Sequence, residues 1–148
     1  RVLALASLLE LTGIVATMLF FLTAASVTRC LMLQHWTALP SARQEDDESG
    51  KGESLATRFG APDQQSLGSG ILMTALILLL IAFSGTLISS IGTGVVPALA
   101  AGTSIALLAC LSFNRLCKVK ISGRSGDTLG ACQQLGEVAF YIGVLIAI

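Results

Sequence analysis

The sequence predicts an all-α integral membrane protein with about four transmembrane helices in this chain. Of its 148 residues, 53% are hydrophobic and only 12% are charged, whereas an average soluble domain has about 25% charged residues. The 43 residues from Ile71 to Phe113 contain no Asp, Glu, Lys or Arg. This composition argues against a disordered chain and a conventional water-soluble enzyme. It also argues against a nucleic-acid-binding protein, because nine Lys and Arg residues are balanced by nine Asp and Glu residues.

Residues 1–33 are predicted to form the first transmembrane helix, and residues 34–70 a polar loop. Glu10 and Arg29 bracket 18 uncharged residues, which is just enough for a helix to span the hydrocarbon core. The loop that follows has three basic and six acidic residues and is rich in Ser and Gly. Because such a composition buries little apolar surface, we expect this loop to be partly disordered.

The uncharged residues 71–113 are predicted to form a transmembrane hairpin. As one helix they would measure about 65 Å, roughly twice the thickness of a ~30 Å hydrocarbon core. Residues 92–97 supply the turn, since they include two glycines and a proline. Residues 114–125 then form a second polar loop, and residues 126–148 form a terminal transmembrane helix with a polar beginning. Both loops lie on one side of the membrane, and their Lys and Arg residues mark that side as cytoplasmic. We therefore expect a multi-pass protein of the inner membrane, with its functional face in the cytoplasm.

A polar stripe is predicted along the terminal helix. At 100° per residue, Asp127, Gly130, Gln134, Glu137 and Tyr141 fall within an arc of about 80°. An ionised side chain inside a bilayer costs about 2.5–3.5 kcal/mol or more unless it is paired or hydrated. The stripe is therefore expected to line a cavity or to pack against polar groups of another helix.

Asp127 stands at the N-terminal end of this helix, where free backbone N–H groups favour the binding of phosphates. Three basic residues, Lys118, Lys120 and Arg124, precede it. A carboxylate in that position could hold a divalent cation that bridges to a phosphate, or could act as a base for an attacking hydroxyl. The alternative is that Asp127 only caps the helix and that Glu137 has a structural partner.

Simpler explanations apply to the remaining candidate residues. Arg29 and the basic residues 115–124 are explained by membrane topology, with contact to anionic lipids as an alternative for the latter. His35, next to Trp36, is interpreted as an interfacial histidine rather than a metal ligand. Two groups of small residues are expected to serve helix packing. They are Cys110, Cys117 and Cys132, and Gly85, Ser89, Gly92, Gly102 and Ala106.

The stretch Gly123-Arg-Ser-Gly-Asp-Thr-Leu-Gly-Ala-Cys-Gln-Gln-Leu-Gly-Glu137 resembles the C-terminal motif of the cobalamin synthase family, the adenosylcobinamide-GDP ribazoletransferases. That motif reads G-x-T-G-D-x-L-G-A-x-x-x-L-x-E, and here Ser125 stands where Thr is usual. Ser-Val-Thr-Arg at residues 26–29 resembles the S-R with which one span of the family ends. Ser-Ala-Arg at residues 41–43 resembles the A-R that opens the family's cytoplasmic loop.

The resemblance implies an enzyme that joins adenosylcobinamide-GDP to α-ribazole or its 5′-phosphate, with Mg²⁺ as cofactor and the lipid bilayer as its environment. It implies catalytic roles for Asp127, Arg29 and Arg43, with Asp127 also touching the metal. Substrate contacts are implied for Gly126, Thr128, Gly130, Gln134, Glu137 and Arg124.

The family's acidic motif lies in an N-terminal half that this sequence does not contain. The resemblance therefore implies that the chain corresponds to the C-terminal half of the enzyme and that the N-terminal half of the same enzyme is its partner. We expect most of the metal site to lie in that other half and the chain in isolation to be inactive.

Two other functional classes stay open on the sequence. In a membrane transport module, the polar stripe would line a substrate path; such proteins often contain internal repeats, and we find none between the halves of this chain. In a scaffold, the stripe would only pack against partners and would tolerate apolar replacement. An acidic motif upstream of the chain would favour the transferase over both.

Overall fold

The computed structural model describes residues 2–40, 64–87 and 94–148, which are almost entirely helical. Four helices follow one another along these segments. They are α1 (Val2–Ala38), α2 (Gln64–Leu87), α3 (Val95–Lys120) and α4 (Gly126–Ala147). The predicted all-α class is confirmed, and α4 coincides with the predicted terminal helix.

Three of the helices, α1, α3 and α4, are long and apolar enough to cross a membrane. In α2 the apolar segment Leu67–Ile77 is shorter. Large apolar side chains lie on the outside of the helices, among them Leu11 at 64% exposure and Leu108 at 64%. Contiguous exposed apolar surface of this kind is typical of contact with lipid, and the prediction of an integral membrane protein is confirmed.

The long helix α1 is divided by a kink at Gly13. The backbone there has φ 78° and ψ 172°, a conformation that is accessible to glycine and strained for other residues. The hydroxyl of Thr17 donates a 2.8 Å hydrogen bond to the carbonyl oxygen of Gly13. This bond satisfies an acceptor at the point where the helical pattern is interrupted.

The helices extend further into the polar stretches than the sequence predicted. α1 continues to Ala38 instead of ending at residue 33, α2 already begins at Gln64, and α3 continues to Lys120. Only residues 121–125 of the predicted second loop are non-helical. The prediction relied on charged side chains as boundaries, but these do not interrupt backbone hydrogen bonds. Stronger signals were Pro40 and the Ser-Gly pair at residues 122–123, because both residue types disfavour continued helix.

Residues 88–93, with most of the predicted hairpin turn, and residues 41–63 lie outside the described part of the chain. Within it, α3 begins with Gly94 as its N-cap. Pro97 therefore occupies the first turn, where its missing N–H group has no intrahelical partner to lose.

Glycines bring α3 and α4 into backbone contact. A Cβ atom built on Gly143 would lie 2.7 Å from the Cα atom of Gly102 and 2.9 Å from the carbonyl oxygen of Ala101. A Cβ atom on Gly102 would lie 2.8 Å from Cγ2 of Val144. Such close approach is characteristic of helix pairs in membranes, where dispersion forces replace the hydrophobic effect. Gly102 was among the predicted packing residues and Gly143 was not.

α4 also packs against α1, which makes it the central helix of the described bundle. A Cβ atom on Gly136 would lie 3.1 Å from Sγ of Cys110 on α3 and 3.2 Å from Cγ2 of Thr28 on α1. α2 packs mainly against α1. The three cysteines predicted to serve packing are buried, which confirms that interpretation. They are Cys110, Cys117 and Cys132.

Candidate functional site

The motif that carries the family resemblance begins α4, at the end of the bundle where α1 and α3 finish. Ser125 is the N-cap, and its hydroxyl oxygen accepts a 3.3 Å hydrogen bond from the backbone N–H of Thr128. In return the Ser125 N–H donates a 2.8 Å bond to Oγ1 of Thr128. This reciprocal pair is a capping box. Because Ser125 is the cap, the alternative that Asp127 serves only as the helix cap is wrong.

A buried histidine connects this cap to the other two helices. His35 of α1 is 0% exposed, and its Nδ1 atom hydrogen-bonds to Oδ1 of Asn114 on α3. Its Nε2 atom lies 3.3 Å from Oγ1 of Thr128, and its ring stacks on Phe113 with 5.7 Å between the ring centroids. His35 thus joins α1, α3 and α4 in one polar network, and its position at the membrane interface stays a prediction.

The hydroxyl group of Thr128 has three hydrogen-bonding contacts. The Thr128 hydroxyl donates to the carbonyl oxygen of Ser125 at 2.9 Å and accepts from the Ser125 N–H. Its third contact is with Nε2 of His35, and the tautomer of the ring decides which of the two atoms donates. This contact links α1 to the turn that begins α4.

Arg124 connects the turn just before α4 to the end of α1. Its Nη1 atom donates a hydrogen bond to the carbonyl oxygen of Trp36, and its guanidinium carbon lies 5.5 Å from the centroid of the Trp36 ring. The Arg124 N–H also donates a 2.8 Å bond to the carbonyl oxygen of Pro40. Partial burial lowers the pKa of the Arg124 guanidinium below its usual value, because desolvation disfavours the charged form.

The indole nitrogen of Trp36 is buried and has no hydrogen-bond partner among the residues that the structure describes. An unsatisfied buried donor costs about 1–3 kcal/mol. The contact between Trp36 and Arg124 thus uses the face of the indole ring and the backbone carbonyl, while the polar atom of the ring contributes nothing to it.

The predicted polar stripe turns from the surface into the interior along α4. Asp127, Gly130 and Gln134 are exposed, Glu137 is half-buried, and Tyr141 is buried. Oε1 of Glu137 accepts a 3.5 Å hydrogen bond from Nε2 of Gln133. Neither of the two cavities described below is lined by these residues, and only the first part of the stripe, from Asp127 to Gln134, is exposed in the described chain. That it lines a cavity stays a prediction.

The glycines of the motif leave room for an approaching molecule. A Cβ atom on Gly126 or on Gly130 would meet no atom within 4 Å. Packing within the described chain therefore does not require glycine at either position, in contrast to Gly102, Gly136 and Gly143. Open backbone next to an exposed carboxylate is consistent with the predicted substrate contact.

The predicted phosphate-binding arginines are not brought together with Asp127. Arg29 is exposed on α1 and lines a cavity of about 300 Å³ formed by α1 and α2, to which α4 contributes no residue. Arg43 lies outside the described residues. Thr28, the neighbour of Arg29, faces α4 instead, because its methyl group contacts Gly136.

The described residues contain no group of three or more His, Cys, Asp and Glu side chains that could hold a metal ion. Asp127 is therefore a single candidate ligand. The described chain does not supply a complete magnesium site.

Sequence reasoning missed His35 and Asn114. Nothing in their spacing indicated a pair, because they lie 79 positions apart. One signal was available: Thr28 and His35 are seven residues apart, so they share a face of α1. Thr28 and His35 are both fully buried and both contact α4.

Comparison with known proteins identifies relatives along the whole chain. The family model for cobalamin-5-phosphate synthase matches residues 1–145. An adenosylcobinamide-GDP ribazoletransferase from Sinorhizobium medicae is 34% identical over 152 residues, which cover 100% of this chain and 51% of the relative. Enzymes of the same name from Sinorhizobium sp and Brucella melitensis are 38% and 36% identical, covering 94% and 83% of this chain and 47% and 41% of their own lengths. The chain thus spans about half the length of the curated relatives it matches, and no solved structure matches it.

Proposed function

The chain belongs to the cobalamin-5-phosphate synthase family, and from this premise we propose that the protein acts in joining adenosylcobinamide-GDP to α-ribazole or its 5′-phosphate. The observation that carries the proposal is the family match over residues 1–145, together with relatives that bear the name of this transferase. In the reaction, a hydroxyl oxygen of the ribazole attacks the phosphorus next to cobinamide. The bond to the second phosphate breaks, GMP leaves, and the hydroxyl proton is released to a base.

Asp127 is the residue of the described chain best placed to receive that proton or to contact a cation. Its side chain is exposed in the first turn of α4, and the capping box leaves it unused. The N-terminal end of a helix stabilises a negative charge by about 0.3–1 kcal/mol. The exposed carboxyl group of Asp127 is therefore available to a hydroxyl group or a bound cation.

Gly126 and Gly130 would let a phosphate or a sugar approach the backbone next to Asp127. Both have open space where a side chain would be, and the first N–H groups of a helix lack intrahelical acceptors. Phosphates bind readily to such N–H groups. Gln134 and Glu137, further along the same face, would contact the more distant part of a substrate.

Thr128 and Arg124 are better explained as positioning residues than as substrate contacts. Thr128 is 7% exposed, and its hydroxyl is shared between Ser125 and His35. Arg124 is held by the Trp36 carbonyl and ring. Together they fix the turn that presents Asp127. The role of Arg29 and Arg43 as phosphate clamps stays a prediction.

Magnesium stays a prediction as well. A divalent cation would neutralise the diphosphate and stabilise the leaving group, and Asp127 could offer one carboxylate ligand. Because the described residues supply no further cluster of ligands, no step of the proposal passes through the metal.

We place the polar end of the bundle at the cytoplasmic face of the inner membrane. Most basic residues of the described chain lie there, namely Arg115, Lys118, Lys120 and Arg124 on or just after the end of α3, whereas Glu10 belongs to the opposite half of α1. Lys and Arg accumulate on the cytoplasmic side of membrane proteins. This orientation would expose Asp127 to water-soluble substrates.

The test uses membranes from cells that express the complete gene and lack any other ribazoletransferase. We expect adenosylcobinamide-GDP and α-ribazole to yield GMP and cobalamin, and Asp127→Asn to lower the rate by about 10²-fold or more, the size of a general-base contribution. Glu10→Gln removes an exposed carboxylate at a distance from the motif and serves as the matched control.

Three outcomes of this test would change the proposal. No GMP release by the unaltered protein would overturn it. Uptake of adenosylcobinamide into sealed vesicles without GMP release would favour the transport alternative. An Asp127→Asn protein as active as the Glu10→Gln control would remove Asp127 from the reaction while leaving the transferase assignment in place.

A further inference from the structure

A second cavity lies at the same end of the bundle as the α4 motif, between the ends of α1 and α3. It has a volume of about 260 Å³ and is lined by Gln34, Ala38 and Leu39 at the end of α1 and by Leu111, Asn114, Arg115 and Lys118 on α3. The four α3 residues are spaced at i, i+3, i+4 and i+7, so one face of that helix forms the wall. None of the residues of the α4 motif lines this cavity.

The polar side chains that line the cavity carry positive charge and several hydrogen-bond donors. Arg115 and Lys118 stand three positions apart, which places their Cβ atoms about 5–6 Å from each other. Gln34 and Asn114 add side-chain amides, and no acidic residue of the described chain lines the cavity. Arg presents a planar fork of N–H donors that matches two oxygens of a phosphate, and Lys adds a point charge.

The cavity also has an apolar side, formed by Ala38, Leu39 and Leu111. Its volume is just below the range of about 300–1,000 Å³ for pockets that enclose whole small molecules. A single phosphate group with the first atoms of the alcohol that it esterifies would fit, with its charge toward α3 and its carbon atoms toward the leucines.

We propose that this cavity, with Arg115 and Lys118 as its cationic side chains, binds the phosphate group of a ligand at the membrane surface. The inference does not depend on the transferase proposal. Two sources would present the same chemistry, namely the headgroup of an anionic phospholipid and the phosphate of a water-soluble compound.

The positive charges at the end of α3 also have a simpler explanation, and the control variant has to test it. Cations in the last turn of a helix offset the negative end of its dipole, and they also accumulate at the cytoplasmic ends of membrane helices. Both effects apply equally to Lys118 and Lys120, which lie in the last turn of α3. Lys118 lines the cavity and Lys120 does not, so Lys120→Gln removes the same charge from the same helix end without altering the cavity.

The experiment measures two probes on the purified full-length protein and its variants. Retention of phosphatidylglycerol is measured by native mass spectrometry after reconstitution in nanodiscs of phosphatidylcholine and phosphatidylglycerol. Binding of inorganic pyrophosphate is measured by calorimetry in nanodiscs of phosphatidylcholine alone. We expect Arg115→Gln and Lys118→Gln each to weaken one of these interactions about tenfold, the size of a lost charge-assisted hydrogen bond. Arg115→Lys should show a smaller loss, because it keeps the charge and loses the fork.

The outcomes identify the source or reject the site. Loss of lipid retention only would assign the cavity to a phospholipid headgroup, and loss of pyrophosphate binding only would assign it to a soluble phosphate. Equal effects of Lys118→Gln and Lys120→Gln, or no binding of either probe, would overturn the proposal. All variants change exposed side chains, so retention of the wild-type elution volume is expected and serves as the folding check.

Discussion

The two ends of α4 are held in place by different physical interactions. Near its C-terminal end, Gly143 meets Gly102 of α3 backbone to backbone, with no polar side chain between them. At its N-terminal end, the hydrogen bond between His35 and Thr128 and the contact of Arg124 with Trp36 hold the first turn. The contact between the two glycines is suited to the hydrocarbon core of a bilayer, where close packing drives helix association. The polar contacts are suited to the interface between membrane and water, where the motif has to be held in place while part of it stays open to water.

The two ends of α4 are therefore expected to contribute differently to the stability of the protein and to the position of Asp127. Glycine contacts fix how far apart two helices lie, because any added atom pushes the backbones apart. Hydrogen bonds fix how a turn is oriented, because they depend on angle as well as distance. We therefore expect changes at the C-terminal end to lower the free energy of unfolding most, and changes at the N-terminal end to combine smaller losses with displacement of Asp127.

The largest effect is expected for Gly143→Ala. The new methyl group would lie 2.7 Å from the Cα atom of Gly102 and 2.9 Å from the carbonyl oxygen of Ala101. Backbone atoms cannot rotate away, so α3 and α4 would have to separate. We expect the free energy of unfolding to fall by about 3 kcal/mol, at the upper end of the range for overpacking. Unfolding of the full-length protein by SDS in mixed micelles measures this change.

Gly130→Ala is the matched control, because it adds the same methyl group to the same helix where nothing lies within 4 Å. Alanine has the higher helix propensity, so this variant should be unchanged or more stable by about 0.5–1 kcal/mol. Equal losses in both variants would mean that the contact between Gly143 and Gly102 does not hold the helices together.

The second-largest effect is expected for His35→Leu, which introduces an apolar side chain of similar size and so removes both ring nitrogens. Asn114 would then lose its hydrogen bond to Nδ1, and Thr128 its contact with Nε2. Leaving buried partners unsatisfied costs about 1–3 kcal/mol, so the free energy of unfolding should fall by about 2 kcal/mol. The rate of the proposed transferase should fall as well, because the turn that carries Asp127 loses its link to α1.

A double-mutant cycle with Asn114→Leu tests whether the two side chains act as a pair. If they do, the loss in the double variant is smaller than the sum of the single losses, since no polar group is left unpaired between α1 and α3. Strict additivity of the losses would contradict the network, and unchanged activity in a folded His35→Leu protein would show that it does not position Asp127.

The same contrast explains how much of the fold could be predicted. Absence of charge over long stretches predicted the membrane helices, because burial of charge in a bilayer is so unfavourable. Gly102 was found from its spacing to other small residues. Gly143 was not, because it lies next to large apolar residues and its partner is 41 positions away in sequence. Helix ends were misjudged where charge was used as the boundary and Pro40 was disregarded.

For the site, the sequence predicted the face of α4 but not what holds it. The Ser-Gly-Asp-Thr motif is local, so its position at a helix start followed from residue types alone. His35 and Asn114 come from other helices, and their pairing depends on how α1 and α3 cross, which no local pattern encodes. A lone histidine in an apolar helix gave no sign that it was fully buried.

The smallest effect is expected for Arg124→Lys, which keeps the charge but removes the planar fork that contacts the carbonyl oxygen and the ring of Trp36. A cation–π contact at a partly exposed site contributes about 0.5–1 kcal/mol, so we expect a loss of that size in the free energy of unfolding. In a Trp36→Leu background the same substitution should have less effect, because the ring is already absent. An equal loss in both backgrounds would mean that Arg124 acts through its carbonyl hydrogen bond alone. The polar end of α4 would then be held by hydrogen bonds without a contribution from the indole ring.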